Sequence, residues 1–119
     1  MNALLLQPKT YMNIIGVNVS AALKSFQVEK QNIIILHDDL ERKLGNFRVV
    51  KGTSFNLGGF KDFTRFGIGI GRPEQRDENT VANYVLSNFS KDEIDQLEKE
   101  VFSKIYQRII TNKLEADKI

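Results

Sequence analysis

Apolar and polar positions follow two different periods along this chain, and the periods separate helices from strands. From Ile14 to Phe26, apolar residues recur at the three- and four-residue spacing of a helical face, and Thr10 precedes them as a candidate N-cap. We therefore predict a helix from about Thr10 to Phe26, although Gly16 costs it about 1 kcal/mol relative to alanine. The continuous apolar run Ile33–Leu36 instead predicts a buried central strand.

The same two periods predict further strands and helices later in the chain. Phe47–Lys51 is a predicted strand. Apolar residues alternate with glycine across Phe66–Gly71, which predicts a strand with one face open to close approach by a helix, a backbone segment or a ligand. Thr80–Leu86 predicts a short helix, and Ser90–Glu93 has the form of a capping box for a helix that reaches about Asn112.

The two ends of the chain carry separate predictions. Leu4–Leu6, directly before Pro8, predicts the tail of a strand. The last few residues have no apolar period, so we expect them to fray.

Composition limits the chemistry that this sequence can support. With no cysteine and a single histidine, His37, it excludes disulfides, thiolate nucleophiles and multi-histidine metal sites. No apolar run reaches the ~18–20 residues of a membrane span, and the first residues lack the basic start of a secretory signal. With 41% hydrophobic and 27% charged residues, residues 1–119 have the composition of one globular domain. A polar cluster, His37-Asp38-Asp39, follows the central strand, at the edge where α/β sheets usually build their sites.

Positive charge is concentrated in the middle of the chain. Between Arg42 and Arg76 there are eight basic residues against Asp62 and Glu74, whereas the whole chain has a net charge of only +2. Five phenylalanines are interleaved with these bases. Such a stretch is compatible with nucleic-acid contact, and it is also compatible with a solvated basic face over phenylalanines that pack the core, which is the more common case. Both interpretations stay open at this point.

Three segments together resemble bacterial-type peptidyl-tRNA hydrolase, in the order that the family has them. They are Pro8-Lys9-Thr10-Tyr11-Met12-Asn13 with Gly16, Ile35-Leu36-His37-Asp38-Asp39-Leu40, and Phe63-Thr64-Arg65-Phe66-Gly67-Ile68-Gly69-Ile70-Gly71-Arg72-Pro73. Tyr84-Val85-Leu86 with Phe89 resembles the family's short helix before its last one. Each motif alone is modestly specific, and the ordered set is specific.

The resemblance implies a three-layer α/β/α fold around a mixed sheet and hydrolysis of the ester that links a peptide to tRNA. It implies Asp38 and Asn13 as catalytic residues: Asp38 orients a histidine that acts as general base, and Asn13 holds substrate or water near the scissile carbonyl. It also implies that Asn13, Tyr11, Lys51 and Arg65 bind the substrate. The implied partner is peptidyl-tRNA, without metal, cofactor or membrane. The implied compartment is the cytoplasm, or the mitochondrion for a eukaryotic chain that has lost its leader.

The sequence departs from the family pattern at several functional positions. The family's first strand and the segment with its catalytic histidine have no counterpart here, so we expect the chain to cover about the carboxyl two-thirds of the domain, with an incomplete sheet. His37 does not match the catalytic histidine, and strand alternation turns it away from Asp38. In the Gly-His-Asn-Gly loop, Leu57 and Gly58 stand where the family has histidine and asparagine. Gly67 stands at the place of the phosphate-clamp arginine, and the clamp lysine falls near Val50 or Lys51.

These departures set the functional expectation. The family activity is ester hydrolysis on peptidyl-tRNA, and we expect this chain alone not to perform it, because the general base is absent. Two alternatives stay open: a non-catalytic RNA-binding protein that uses the Arg42–Arg76 stretch, and a gene fragment without function. Family members are expected to be monomers, whereas the missing first strand predicts low stability and self-association for this chain.

Overall fold

The elements of the fold follow the predicted alternation of helices and strands. A computed structural model describes residues 3–7, 15–51 and 63–117. The elements are α1 (Ile15–Phe26), a 3₁₀ turn (Lys30–Asn32), β1 (Ile34–Asp39), β2 (Phe47–Lys51), β3 (Thr64–Gly69), α2 (Glu78–Leu86), α3 (Lys91–Gln96), a π-helical segment (Leu97–Phe102) and α4 (Ser103–Ile110). The predicted central strand extends through the polar cluster, so His37, Asp38 and Asp39 are part of β1.

The three strands form a mixed sheet in the order β1-β3-β2. β1 runs parallel to β3, with Ile34 beside Thr64 and Asp38 beside Ile68. β2 runs antiparallel to β3, with Val49 beside Phe66. The carboxyl ends of β1 and β3 therefore meet at one edge of the sheet, while the carboxyl end of β2 lies at the opposite edge.

One face of the sheet packs against the carboxyl-terminal helices, and we call it the C-helix face. The register gives it these residues: Ile34, Leu36, Asp38, Phe47, Val49, Lys51, Thr64, Phe66 and Ile68. Val49 and Phe66 are fully buried there against Leu97, Val101 and Ile105. These three helical residues recur every four positions, so they form one apolar stripe that covers the sheet.

The opposite face packs against α1, and we call it the N-helix face. Val19 of α1 is buried with Ile33 and Phe63, and Leu23 and Ile35 pack around them. Helices thus cover both faces of a mixed sheet, which confirms the α/β/α fold class. The part of this face near the carboxyl ends of β1 and β3 carries polar residues and glycines instead of apolar side chains.

The glycines of β3 allow close approach by the chain itself. A Cβ atom at Gly69 would lie 2.1 Å from the Lys43 carbonyl oxygen, in the loop that follows β1. A Cβ at Gly67 would lie 3.2 Å from Asp39 Oδ2 and 3.3 Å from His37 Cε1. The sequence left open whether a helix, a backbone segment or a ligand approaches this face closely. At Gly69 it is a backbone segment.

The residues after α4 form an ordered strap along β2, so the expectation that they fray is wrong for residues 113–117. The Asp117 N–H donates to the Val49 carbonyl at 2.9 Å, and the Val49 N–H donates to Asp117 Oδ2 at 2.8 Å. Arg108 donates to the Lys113 and Glu115 carbonyls and to Asp117 Oδ1, at 2.9, 3.0 and 3.1 Å. Backbone pairing with β2 and this guanidinium hold the strap in place.

The amino-terminal prediction of a strand is also wrong for the described residues. Residues 3–7 lie outside any strand or helix, and Leu4, Leu5 and Leu6 are 62%, 97% and 54% exposed. A strand exists only where a neighbour accepts and donates its backbone hydrogen bonds, and the three-stranded sheet does not include this segment.

Helix ends are fixed by side-chain caps, as predicted for the last helix. The Ser90 hydroxyl accepts from the Glu93 N–H, and Glu93 accepts from the Ser90 N–H, which confirms the capping box. The preceding helix, α2, begins two residues earlier than predicted, because Asp77 accepts from the Thr80 N–H at 3.0 Å. Hydrogen bonds from Thr80 hold the pKa of Asp77 below its usual value.

Candidate active site

Asp38 lies near the carboxyl end of β1, where its neighbour β3 also ends. It pairs in register with Ile68, so it belongs to the C-helix face, and it is exposed. Strand alternation explains the face, since residues 34, 36 and 38 share one side of the pleat. This is the edge at which sites of α/β sheets are usually formed.

Asp38 lines an open cleft of about 290 Å³ between the sheet edge and the helical segments that follow. The other lining residues are Ile70, Tyr84, Val85, Ser87, Asn88, Phe89 and Glu93. The Tyr84 hydroxyl donates to the Ile70 carbonyl and ties α2 to the end of β3. None of these lining residues is basic. The cleft therefore offers hydrogen-bond acceptors and an apolar wall rather than a phosphate site.

His37 is on the other face of the sheet, as the alternation predicts, and it is half-buried. Its Nε2 lies 2.9 Å from Arg65 Nη1, and its Nδ1 lies 2.8 Å from the Asp38 carbonyl oxygen. A guanidinium can only donate, so Nε2 must accept and Nδ1 must carry the proton. These contacts fit a neutral imidazole that donates to the Asp38 backbone and does not face the Asp38 carboxylate.

The two basic residues expected to bind substrate do not lie together. Arg65 is on the N-helix face beside His37. Lys51 is on the C-helix face, where its Nζ lies 2.5 Å from Thr64 Oγ1. Thr64 is level with Ile34, four residues below Asp38 along the sheet, which corresponds to about 13 Å. Lys51 and Arg65 therefore lie on opposite faces of the sheet, and neither lines the cleft.

A second basic group follows, in sequence, the two strands that end beside Asp38, and it was not singled out from the sequence. Arg42, Lys43, Arg72 and Arg76 all follow the carboxyl ends of β1 or β3, and we call them the basic rim. Lys43 and Arg76 are exposed. Arg42 Nε lies 3.3 Å from Asp39 Oδ2, and Arg72 pairs with Glu41. The signal in the sequence was their position directly after two parallel strands, within the basic stretch.

Several predicted site residues lie outside the described residues. These are Asn13, Tyr11 and the degenerate loop at Leu57 and Gly58. Their roles remain predictions from the resemblance.

Comparison with known proteins places the chain in a family. The sequence model of the family described as "Peptidyl-tRNA hydrolase" matches residues 1–117. A peptidyl-tRNA hydrolase from Clostridium botulinum is 42% identical over 106 residues, which are 81% of this chain and 54% of that protein. One from Aliarcobacter butzleri is 39% identical over 103 residues, 77% of this chain and 54% of that protein.

Solved structures agree with the sequence matches. Peptidyl-tRNA hydrolase from Acinetobacter baumannii superposes with a TM-score of 0.62 at 26% identity, over 84% of this chain and 60% of that one. A point mutant of the Acinetobacter baumannii protein gives a TM-score of 0.61 at 30% identity, over 76% and 50%. The chain belongs to the peptidyl-tRNA hydrolase family, and it spans about half the length of the curated relatives it matches. Among the described residues, no helix is long and apolar enough to cross a membrane.

Proposed function

We propose that this chain binds peptidyl-tRNA, with the ester end of the substrate at the Asp38 cleft and the tRNA phosphates on the basic rim. In this proposal residues 1–119 act as one peptidyl-tRNA hydrolase-like domain. Hydrolysis requires an imidazole beside Asp38 that the chain does not supply. Because ribosomes make the substrate, the proposal puts the protein where translation takes place, in the cytoplasm.

The position of Asp38 carries the proposal. It is an exposed carboxylate at the shared end of two parallel strands, in a cleft that has no basic lining residue among those described. A carboxylate in such a place can hold an imidazole in one tautomer and stabilise the imidazolium that forms when a water is deprotonated. A carboxylate is a weaker base than an imidazole, so in this proposal Asp38 orients the base and does not replace it.

The environment of His37 limits what this chain does alone. His37 is the only histidine of the sequence, and it faces Arg65 on the N-helix face. To meet the Asp38 carboxylate it would have to cross the plane of the sheet. We therefore assign substrate binding to these 119 residues, and we assign the proton transfer to none of them.

The basic rim supports tRNA binding more directly than the rest of the basic stretch. Arg42 and Lys43 lie against Gly69 at the end of β3, and the exposed members of the rim, Lys43 and Arg76, are available to phosphates. Asp39 and Glu41 partly neutralise Arg42 and Arg72, so we expect about two or three phosphate contacts from the rim. Lys51 and Arg65 are proposed as further contacts that act separately from each other.

Titration of fluorescently labelled tRNA at several salt concentrations tests this proposal. We expect weak binding without sequence preference, with a slope of log affinity on log salt of about −0.7 to −0.9 for each phosphate contact. The double variant Lys43→Glu with Arg76→Glu should weaken binding and flatten the slope. The matched control is Lys99→Glu with Lys104→Glu, two exposed lysines on the carboxyl-terminal helices. Binding that is indifferent to salt, or weakened equally by both double variants, would contradict the proposal.

A further inference from the structure

One side of the Asp38 cleft takes little part in the hydrophobic core. We call residues 84–89 the cleft wall, and five of them line the cleft: Tyr84, Val85, Ser87, Asn88 and Phe89. The helix that leads into this wall is α2, which the structure describes completely and which has no buried residue, and Phe89 is 43% exposed. Burial of apolar surface therefore contributes little to holding the wall in place, so polar contacts have a larger share.

The facing side of the cleft is the end of the sheet, and hydrogen bonds fix it. Ile70 follows β3 directly and is buried, and its N–H donates to the Asp39 carbonyl at 3.1 Å. The N–H of the next residue, Gly71, donates to the Arg42 carbonyl at 2.8 Å. The backbone that carries the Ile70 carbonyl is thus tied to the residue next to Asp38.

Tyr84 connects the cleft wall to this fixed side. Its hydroxyl donates to the Ile70 carbonyl. Gly71 leaves room for the contact, since a Cβ there would lie 3.1 Å from the hydroxyl oxygen. Two hydrogen bonds in series, from Ile70 to Asp39 and from Tyr84 to Ile70, therefore set where the wall stands relative to the strand end that bears Asp38.

We propose that Tyr84 is a positioning residue, whose hydroxyl holds the cleft wall at the distance from Asp38 that admits the esterified 3′ end of tRNA. The inference rests on the proposed function, because it concerns the cleft in which that function puts the ester. The hydroxyl acts through the wall and not on the substrate. Without it the wall can move, and the cleft distinguishes less well between an esterified and a free 3′ end. The phosphate contacts are assigned to the basic rim, so they should remain.

Two tRNA ligands separate this role from a general effect on the structure. One is tRNA with a free 3′ end, and the other is the same tRNA carrying an N-acetylated aminoacyl ester. Both are titrated against the 119-residue chain and against Tyr84→Phe, which removes the hydroxyl and keeps the ring. The matched control is Tyr106→Phe, at a position 61% exposed on α4.

We expect the unmodified chain and Tyr106→Phe to bind the esterified tRNA more tightly than the free tRNA. Tyr84→Phe should reduce this preference by about three- to tenfold, the range for one lost hydrogen bond, and should leave the affinity for free tRNA unchanged.

Amide hydrogen exchange of the free protein tests the anchor without any ligand. Tyr84→Phe should speed exchange in α2 by about three- to tenfold and leave α4 unchanged, because only the first helix loses a contact. Tyr106→Phe should change neither helix.

Three results overturn this inference alone: unchanged exchange in α2, a Tyr84→Phe variant that keeps the full preference for the ester, and an equal loss of affinity for both tRNAs. An unmodified chain without preference for the ester overturns the proposed function, and this inference falls with it.

Discussion

Neighbouring residues of β1 have different environments because the strand turns each side chain to the opposite face. Asp38 faces the cleft, while His37 lies over Gly67 and meets Arg65 on the other side. Two residues that are adjacent in sequence and suited to act together in catalysis are thereby separated by the sheet. Two residues that are adjacent along a strand point to opposite faces of the sheet. The alternation of β1 therefore predicted correctly that His37 faces away from Asp38.

At the same scale, Gly69 has a specific steric role that can be tested. A Cβ at this position would lie 2.1 Å from the Lys43 carbonyl oxygen, which belongs to backbone and cannot rotate away. We expect Gly69→Ala to lower the free energy of unfolding by about 1–3 kcal/mol, the usual cost of overpacking.

The matched control for that variant is Gly67→Ala. Its Cβ would meet two side-chain atoms at 3.2 and 3.3 Å, and both side chains can shift by a few tenths of an ångström. Urea unfolding should therefore rank Gly69→Ala well below Gly67→Ala in stability. Equal losses for the two variants would contradict the close backbone approach at Gly69.

At the scale of elements, the strap shows what periodicity can and cannot predict. β2 was predicted with its observed bounds, and the capping box at Ser90 was found from four residues, because both depend on neighbours in sequence. The strap pairs Asp117 with Val49, 68 positions away, and depends on Arg108 in the last turn of α4. No local pattern encodes such a contact.

The site shows the same division between local and non-local information. Asp38 and the opposite orientation of His37 follow from local alternation. The separation of Lys51 from Arg65 follows from the register of β2 on β3, which is fixed by pairing across the sheet. Leu4–Leu6 do not form a strand for the same reason. A strand needs a pairing partner elsewhere in the chain, and three consecutive leucines do not show whether that partner exists.

The strap also makes stability depend on pH in a defined direction. Partial burial raises the pKa of the Asp117 carboxyl, but hydrogen bonds from the Val49 N–H and from Arg108 outweigh it, and the pKa is lowered overall. A carboxyl whose pKa is lower in the folded state stabilises the fold above its unfolded pKa of about 3.9 and loses that contribution as the pH falls through the folded value.

Thermal melts of Asp117→Asn test this dependence. The asparagine can still accept from Val49 but carries no charge, so the variant should melt below the unmodified chain at pH 7. The difference between their melting temperatures should shrink as the pH falls below about 4. Asp95→Asn, at an exposed helical position, is the matched control. A difference that is the same at pH 3 and pH 7 would show that the ionised carboxylate does not hold the strap.

At the scale of the whole molecule, binding and catalysis are assigned to different parts of a family domain. The chain matches the family over residues 1–117 and covers about half the length of its curated relatives. It has a carboxylate in a cleft, and a basic rim follows the same two strands in sequence. Its only imidazole is turned to the other face of the sheet. We therefore expect residues 1–119, tested by themselves, to hold peptidyl-tRNA without cleaving it.

The most direct test of this claim is single-turnover release of labelled peptide from peptidyl-tRNA, with protein in excess and binding followed in the same sample. The account predicts salt-dependent binding together with peptide release no faster than in buffer. A lost general base typically costs a factor of about 10²–10⁴ in rate, so the difference from an intact enzyme is well within reach of the assay. Release above the buffer rate by the unmodified chain, abolished by Asp38→Asn while tRNA binding is retained, would contradict it.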